Sequence, residues 1–437
     1  MSSRFSPLLR PALGLLTAAA ALALLGPSRA QEGAPDVSEQ ALDKEYQANR
    51  VLMNNLLRGT EAFDAKNPKH LAAIDAAAKY STYRFTLPAY ESEVGKIDEV
   101  YRNFEEQQLK QIQRSKAATQ PQVAGAYSKA IGVRAREVLN SDRAIARVNA
   151  ARVLAKTAEL GQGDLADVLL EVFEKEVAKP RSGVPRSGER NDGVIYHTLR
   201  GMRELLAVPN PAPPAPPVLS AERDLKLAQA LIAFVTKPVK FAGDTPKDEI
   251  EGYRSMRREA VKALAYCRAP GLKGKDRPGM VLLRVAASDG LTPEARVDER
   301  VEAAIGVARM REAFDGKEFQ PEYAAYQLGA FVEYLGSYYS EASLPKEDRP
   351  RELRPFKIYA ARLIEALDAL KADTKNAYVA SVVDQSRRVL TVMEEGKQVK
   401  TGDLGMWLDR NGPPKDSLFQ GVADSTVKPA NRRGEGP

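Results

Sequence analysis

Apolar residues recur at the spacing of α-helices along almost the whole chain after residue 36, whereas the alternation typical of β-strands is nearly absent. Two segments show this most clearly: Phe356, Tyr359, Leu363, Leu367 and Leu370 share one helix face, and Tyr378, Val382, Val389 and Met393 share another. Such stripes are typical of amphipathic helices whose apolar side packs against a neighbour. The pattern predicts an all-α fold.

Interruptions of this pattern divide the chain after residue 30. We expect N- and C-terminal helical regions at residues 31–121 and 312–395, on either side of a central region at residues 122–311. Residues 396–437 are rich in charge, Gly and Pro, which predicts a disordered tail. A short apolar patch in this tail is expected to dock on the body: Met406, Trp407, Leu408, Leu418 and Phe419.

The central region contains an internal repeat. The segments Arg147–Ala155, Arg257–Ala265 and Arg300–Ala308 resemble one another, and Ile195–Arg203 is a more degenerate copy. Each of the first three opens with arginine, has alanine three positions later, and has Leu or Val four positions after that. An amphipathic segment precedes every copy, so the predicted repeating unit is a pair of helices. The longest spacing contains a proline-rich connector, residues 209–217, that cannot be helical.

Residues 122–311 resemble HEAT and armadillo-like helical repeats in these features. The resemblance implies an α-solenoid, in which the small residue lets paired helices approach and the larger one fills the groove between them. The Asp–Arg ladder of stronger repeats is not reproduced, since Asp142, Gly252 and Ala295 stand five positions before the aligned arginines. An irregular helical bundle is the alternative fold. The segment 80–86 has the aromatic residues typical of a strand but no evident partner strand, and it is not assigned to any element.

The first thirty residues have the three parts of an export signal. Arg4 and Arg10 form a cationic start, Ala12–Leu25 is an apolar run, and Ser28–Ala30 offers the small residues that signal peptidase needs. We expect cleavage after Ala30 and a periplasmic or extracellular protein. No later stretch approaches the roughly 18 apolar residues of a membrane span, so no transmembrane segment is expected after cleavage.

Composition narrows the classes of function. The formal net charge of +7 falls to +4 when the three arginines of residues 1–30 are removed, and acidic and basic residues alternate along the helices. This pattern predicts solvated helix faces and no nucleic-acid partner.

Cys267 is the only cysteine, so an intramolecular disulfide is excluded. A packed thiol is expected there, with a redox role or an intermolecular bridge as the alternatives.

Candidate catalytic motifs are few. Ser343–Lys346 and Lys400–Gly402 match the Ser-x-x-Lys and Lys-Thr-Gly motifs of penicillin-binding enzymes, but amphipathic helices lie between them where that fold needs a sheet. The glycines of Gly161–Ala166 follow a helix, which predicts a helix end and not a dinucleotide turn. His70 is expected on the surface and His197 packed in a repeat. The sequence therefore predicts no cofactor and no metal site.

The sequence favours a non-catalytic scaffold that binds a protein, a peptide or a cell-envelope component. Its candidate anchors belong to a dense aromatic segment that also includes Phe331: Tyr323, Tyr326, Tyr334, Tyr338 and Tyr339. Tyrosines are frequent anchors at interfaces, although packing against the helix of residues 356–370 is the simpler reading of this spacing. Two alternatives stay open: an enzyme whose site is built from scattered carboxylates, and a structural envelope protein.

Overall fold

The fold is all-helical in the residues described by the structure, a computed structural model. These residues are 35, 37–92, 94–115, 118–180, 188–211, 217–268, 272–310, 318–342 and 349–422. Within them β-structure is limited to one antiparallel bridge between Phe319 and Phe419. The export signal and the Ser343–Lys346 motif lie outside the described residues. None of the described helices has the length and apolarity needed to span a bilayer.

Seventeen α-helices are described, with short 3₁₀ and π segments between some of them. They are α1 (Glu39–Arg58), α2 (Pro68–Thr82), α3 (Ala89–Ser92), α4 (Val94–Phe104), α5 (Lys110–Arg114), α6 (Gln120–Leu139), α7 (Ala144–Thr157), α8 (Leu165–Ala178), α9 (Asp192–Ala207), α10 (Ala221–Thr236), α11 (Lys247–Leu264), α12 (Pro278–Ala287), α13 (Val297–Met310), α14 (Pro321–Ala342), α15 (Arg349–Thr374), α16 (Ala377–Glu394) and α17 (Asp403–Arg410).

The helices of the central region pack as pairs: α6 with α7, α8 with α9, α10 with α11, and α12 with α13. The four repeat segments found in the sequence lie in the second helix of each pair, which we call the second helices: α7, α9, α11 and α13. These pack against one another in chain order, and the first helices do the same. Helices α14 and α15 extend the first and second series, respectively, beyond residue 311.

The aligned small residues are buried, as the repeat predicts. Ala150, Ala260 and Ala303 are fully buried, and so are the larger residues one turn later, Leu154, Leu264 and Val307. Gly201, in α9, marks a close approach: a Cβ built there would lie 3.0 Å from the Cα atom of Ala155 and 2.8 Å from Leu169 Cδ2. At this point α9 packs against both α7 and α8, and only a glycine fits without movement.

Two of the repeat arginines connect neighbouring pairs. Arg257 is fully buried in α11 and donates to both carboxylate oxygens of Glu299, at 2.6 and 3.1 Å, and to the carbonyl oxygen of Pro293 at 2.6 Å. Arg147 in α7 donates to the carbonyl oxygen of Glu189 at 3.2 Å, with the carboxylate of Glu176 3.8 Å away. Both reach the segment that leads into the next second helix. We call these contacts the arginine latches.

The carboxylates of the latches also hold the start of that next helix. Glu176 accepts the backbone N–H of Asn191 at 2.6 Å, and Glu299 accepts that of Arg296 at 2.9 Å. Contacts that bridge neighbouring pairs are therefore present at two interfaces, although their acids do not stand five positions before the arginines.

The N-terminal region packs against the first pair through α2 and α6. The segment 80–86, unassigned from the sequence, completes α2 and continues as a 3₁₀ turn at Tyr83–Thr86. Helices α4 and α5 are joined by a π segment, Glu105–Leu109, which buries both Gln108 and Leu109. Gln108 accepts hydrogen bonds from Ser81 and Tyr127, so the extra residue of the π segment brings a polar group into the core.

The expectation of a disordered tail from residue 396 is wrong for residues 396–422. They contain α17, and Leu408, Leu418 and Phe419 are fully buried, as the predicted docking patch requires. Leu418 also accepts the backbone N–H of Gln320 at 2.9 Å through its carbonyl oxygen. Met406 is exposed and Trp407 is half-buried, so these two take less part in the docking. Apolar burial outweighs the breaking tendency of the glycines and prolines here.

Candidate functional site

Charged side chains from successive second helices meet on one surface of the protein, which we call the second-helix face. It carries two clefts that share Glu204. The larger, the charged cleft, has a volume of about 390 Å³ and is lined by Arg203, Glu204, Ala207, Lys262, Ala265, Tyr266, Glu302, Ile305, Arg309 and Arg362. Its walls come from α9, α11, α13 and α15 and from the residues just after α11.

The charges of the charged cleft form an alternating ladder. Arg203 donates to Glu259 at 2.7 Å and also pairs with Glu204. Lys262 bonds Glu259 at 2.7 Å and lies 3.9 Å from Glu302. Glu302 is also held by both terminal nitrogens of Arg362, at 2.6 and 2.7 Å. Residues on four helices are linked by these bonds, which fixes the positions of otherwise flexible side chains.

Arg309 stands at the end of this ladder without an acid. It is exposed in the last turn of α13 and donates from Nη1 to the hydroxyl of Tyr266 at 2.8 Å. Within the described residues it makes no ion pair with a carboxylate. The ladder therefore contains four cations, Arg203, Lys262, Arg309 and Arg362, against the three acids Glu204, Glu259 and Glu302.

The smaller cleft, which we call the histidine cleft, is a shallow depression of about 10 Å³ that continues the same face toward the N-terminus. It is lined by Tyr101, Arg152, Ala155, Lys156, Glu159, His197, Arg200 and Glu204. Burial, with further contributions from Arg200 and Arg152, lowers the pKa of His197 to about 4, so the imidazole is neutral at physiological pH. Its Nδ1 atom is buried and has no hydrogen-bond partner in the described part of the chain.

The guanidinium groups of the histidine cleft are held unequally. Arg152 lies over the ring of Tyr101, 3.7 Å from its centroid, and 3.6 Å from the carboxylate of Asp98. Arg200, in contrast, forms no ion pair with a described carboxylate. Among the described residues, the second-helix face thus has two arginines without acidic partners, Arg200 on α9 and Arg309 on α13.

An apolar cleft of about 220 Å³ shares Tyr266 with the charged cleft and is formed by the end of α9, the start of α10 and the residues just after α11. Leucine, valine and proline side chains line it, together with the carboxylate of Asp224. Asp224 is 6% exposed and accepts the backbone N–H of Arg268 at 3.0 Å. Burial raises the pKa of this carboxyl to about 6 against a partial opposing effect of Arg268.

The predicted tyrosine anchors are divided between the core and the surface. Tyr323 and Tyr339 are buried, which removes them from any exposed binding surface. Tyr326 and Tyr334 are half-buried, and the ring of Tyr334 stacks on Arg300, 3.6 Å from the guanidinium carbon. Tyr338 alone is exposed, at 39%. Packing against α15 explains the cluster, because Phe356 contacts both Tyr338 and Tyr339.

The remaining candidates have structural roles. His70 is buried, contrary to expectation, because it ties a loop to α2: Nδ1 accepts the backbone N–H of Asp64 and Nε2 lies 3.0 Å from Glu61. Cys267 is fully buried, and burial raises the pKa of its thiol, as expected of a packed cysteine. Gly161 adopts a left-handed conformation at a helix end, as predicted. No group of three or more metal-binding side chains occurs among the described residues.

The comparisons with known proteins identify no relative, so the site is described from its geometry alone. No family model, no curated protein and no solved structure matches the chain at a significant level. Sequence reasoning missed the charged cleft, because its residues lie on four helices and resemble solvent-facing charges when each helix is taken alone. No single repeat position marks these cations, because Arg203, Lys262 and Arg309 follow the small residues Thr198, Ala260 and Ala303 by five, two and six positions.

Proposed function

We propose that the protein is an exported, non-catalytic binding scaffold, an α-solenoid of HEAT-like helix pairs, whose second-helix face holds an extended acidic segment of a partner protein. The observation that carries this proposal is the second-helix face itself. Successive second helices each add polar side chains to one surface, which is how solenoids present an extended binding site. Arg200 and Arg309 leave this surface with unpaired positive charge.

An extended polypeptide fits this face better than a compact ligand. The two clefts share Glu204. Their side chains come from α4, from the second helices α7, α9, α11 and α13, and from α15, so the surface follows the direction in which the helix pairs succeed one another. Many carboxylates already line it, which opposes a densely charged polyanion such as a nucleic acid. A segment with spaced acidic residues can meet Arg200 and Arg309 while its neutral residues lie over the neutralised ladder.

The geometry favours binding over catalysis. The carboxylates of the charged cleft each accept from an arginine or lysine, and His197 has a pKa of about 4. A general base needs a pKa near the working pH and a free position beside the substrate. The acids of this face are occupied as structural partners, which is the arrangement expected of a recognition surface.

The test uses a fluorescent peptide of alternating glutamate and serine, with binding to the purified protein followed by anisotropy. We expect saturable binding that weakens as salt is added, and no binding of the matching lysine–serine peptide. The charge reversal Arg200→Glu should weaken binding by about tenfold or more. Arg388→Glu, which changes the net charge equally at an exposed position of α16, should leave the affinity unchanged.

Three results would contradict the proposal. These are the absence of binding, equal losses of affinity in the Arg200→Glu and Arg388→Glu variants, and tighter binding of a single-stranded oligonucleotide than of the acidic peptide.

Export is tested separately by N-terminal sequencing of protein recovered outside the cytoplasm. A chain that starts at Gln31 supports it, and an intact Met1 contradicts cleavage.

A further inference from the structure

We propose that Arg309 and Tyr266 form a carboxylate-binding site that anchors one acidic side chain of the partner in the charged cleft. This inference rests on the proposed function and names the position and chemistry of its main contact. It starts from the charge balance of the ladder, in which Arg203, Lys262 and Arg362 are matched by three acids and Arg309 is not. One negative charge from a ligand completes the alternation.

The donors of the site are arranged for an oxyanion. Arg309 uses Nη1 to donate to the Tyr266 oxygen, so the hydroxyl hydrogen of Tyr266 is directed elsewhere and can be donated to a ligand. The other N–H groups of Arg309 remain for the same ligand. A planar guanidinium binds a carboxylate through two parallel hydrogen bonds, and the tyrosine hydroxyl adds a third donor beside it.

Packing beneath the site holds the two donors at a fixed separation. Gly306, one turn before Arg309, lies so close to its neighbours that a Cβ there would be 3.0 Å from both Ala265 Cβ and Leu282 Cδ1. Ala265 directly precedes Tyr266 in the chain, so this contact sets the position of α13 relative to the tyrosine. Ile305 is 3% exposed and gives the cleft an apolar floor, which strengthens hydrogen bonds to a charged group above it.

A carboxylate suits the cleft better than a phosphate. The ladder has a single excess positive charge, whereas a phosphate group carries nearly two negative charges at neutral pH. Glu204 and Glu302 line the same cleft and repel the second charge. The charge of the site therefore selects a glutamate or aspartate side chain, or a chain-terminal carboxylate.

The experiment monitors the arginine side-chain Nε–Hε signals by NMR while N-acetylglutamate is added, with Arg309→Gln used to assign the Arg309 signal. We expect the Arg309 signal to shift and saturate with N-acetylglutamate, and to stay unchanged with N-acetylglutamine amide, which has no carboxylate. Tyr266→Phe should weaken N-acetylglutamate binding by about tenfold or more, the effect of losing one hydrogen bond to a charged group. Arg388→Gln is the matched control and should have no effect.

Rescue by the conservative variant separates charge from geometry. Arg309→Lys keeps the charge but loses the planar fork, so its affinity should lie between those of the wild type and Arg309→Gln. The proposal is overturned if the Arg309 signal does not saturate, if Tyr266→Phe binds as the wild type does, or if inorganic phosphate binds more tightly than the carboxylate.

The outcomes also distinguish this inference from the proposed function. If the acidic peptide binds and Arg309→Gln does not weaken it, the second-helix face is the binding surface and the anchor has been misplaced. If N-acetylglutamate binds at Arg309 while the acidic peptide does not bind, the carboxylate site stands and the extended-peptide function fails.

Discussion

The close approach at Gly201 leads to a prediction against ordinary helix propensity. Replacing glycine by alanine inside an exposed helix stabilises it by about 1 kcal/mol. At Gly201 the new methyl group would lie 3.0 Å from the Cα atom of Ala155, although carbon atoms in contact prefer about 3.5 to 4.0 Å. Leu169 can rotate away, but the Ala155 atom belongs to the backbone of α7 and can move only if the helix moves.

Overpacking of this kind costs about 1 to 3 kcal/mol, so it should outweigh the gain in propensity. We expect Gly201→Ala to lower the free energy of unfolding by up to about 2 kcal/mol after the propensity gain of about 1 kcal/mol is subtracted. The matched control is Gly252→Ala in α11, where no heavy atom lies within 4 Å of the new methyl group. That variant should be more stable than the wild type by about 1 kcal/mol.

Urea denaturation followed by circular dichroism measures both variants, because helix content reports on the whole fold. The midpoint should move to lower urea for Gly201→Ala and to higher urea for Gly252→Ala, with unchanged slopes. If both variants are stabilised by similar amounts, α9 is not held against α7 as closely as described, and the packing argument is refuted.

Three further predictions concern buried groups. Asp224 has a folded-state pKa of about 6 against 3.8 for the free side chain, so its contribution to stability is present below pH 3.8 and is lost as the pH rises through 6. Asp224→Asn should therefore raise stability by up to about 2 to 3 kcal/mol at pH 8 and hardly at pH 4, measured by urea denaturation at both values. His197 has a folded-state pKa of about 4 against 6.5, so its contribution is present above pH 6.5 and is lost as the pH falls through 4. His197→Gln should flatten the loss of stability on acidification, and an NMR titration midpoint above 6 for this histidine would contradict the assignment. Ala260→Leu should cost about 1 to 3 kcal/mol through overpacking at a fully buried position of α11, and an unchanged melting temperature would show that the repeat alignment is wrong there.

The helices of the central region could be predicted from the sequence because their signal is local. A period of 3.6 residues and a small residue at Ala150, Ala260 and Ala303 depend only on neighbours in the chain. The order of residues 396–422 could not be predicted in this way, because Leu418 and Phe419 are buried against surfaces that are distant in the chain. Local composition at residues 396–422 reports their polarity, whereas their order comes from tertiary contacts.

The candidate site was beyond sequence reasoning for a related reason. Lys262, Arg309 and Arg362 lie on different helices, and each has a glutamate three positions away in the sequence. Alternating charge is typical of a solvated face, which was the interpretation of the sequence. Only the packing of α11, α13 and α15 shows which charges neutralise each other, and that Arg309 has no carboxylate partner among the described residues.

The arginine latches have a consequence for how the protein opens. In a linear array each helix pair has an intrinsic stability and an interface with its neighbours, and the balance between them sets how many pairs unfold together. Arg257 adds a buried ion pair and a carbonyl contact to one interface, so separation of α11 from α13 would leave buried charge without a partner. In α9 the equivalent position is Ile195, so no latch joins α9 to α11. Separation of these two helices breaks the pair of Arg203 with Glu259 but leaves Glu259 paired with Lys262. Native-state hydrogen exchange should then divide the central region into two cooperative units, one ending at α9 and the other starting at α10.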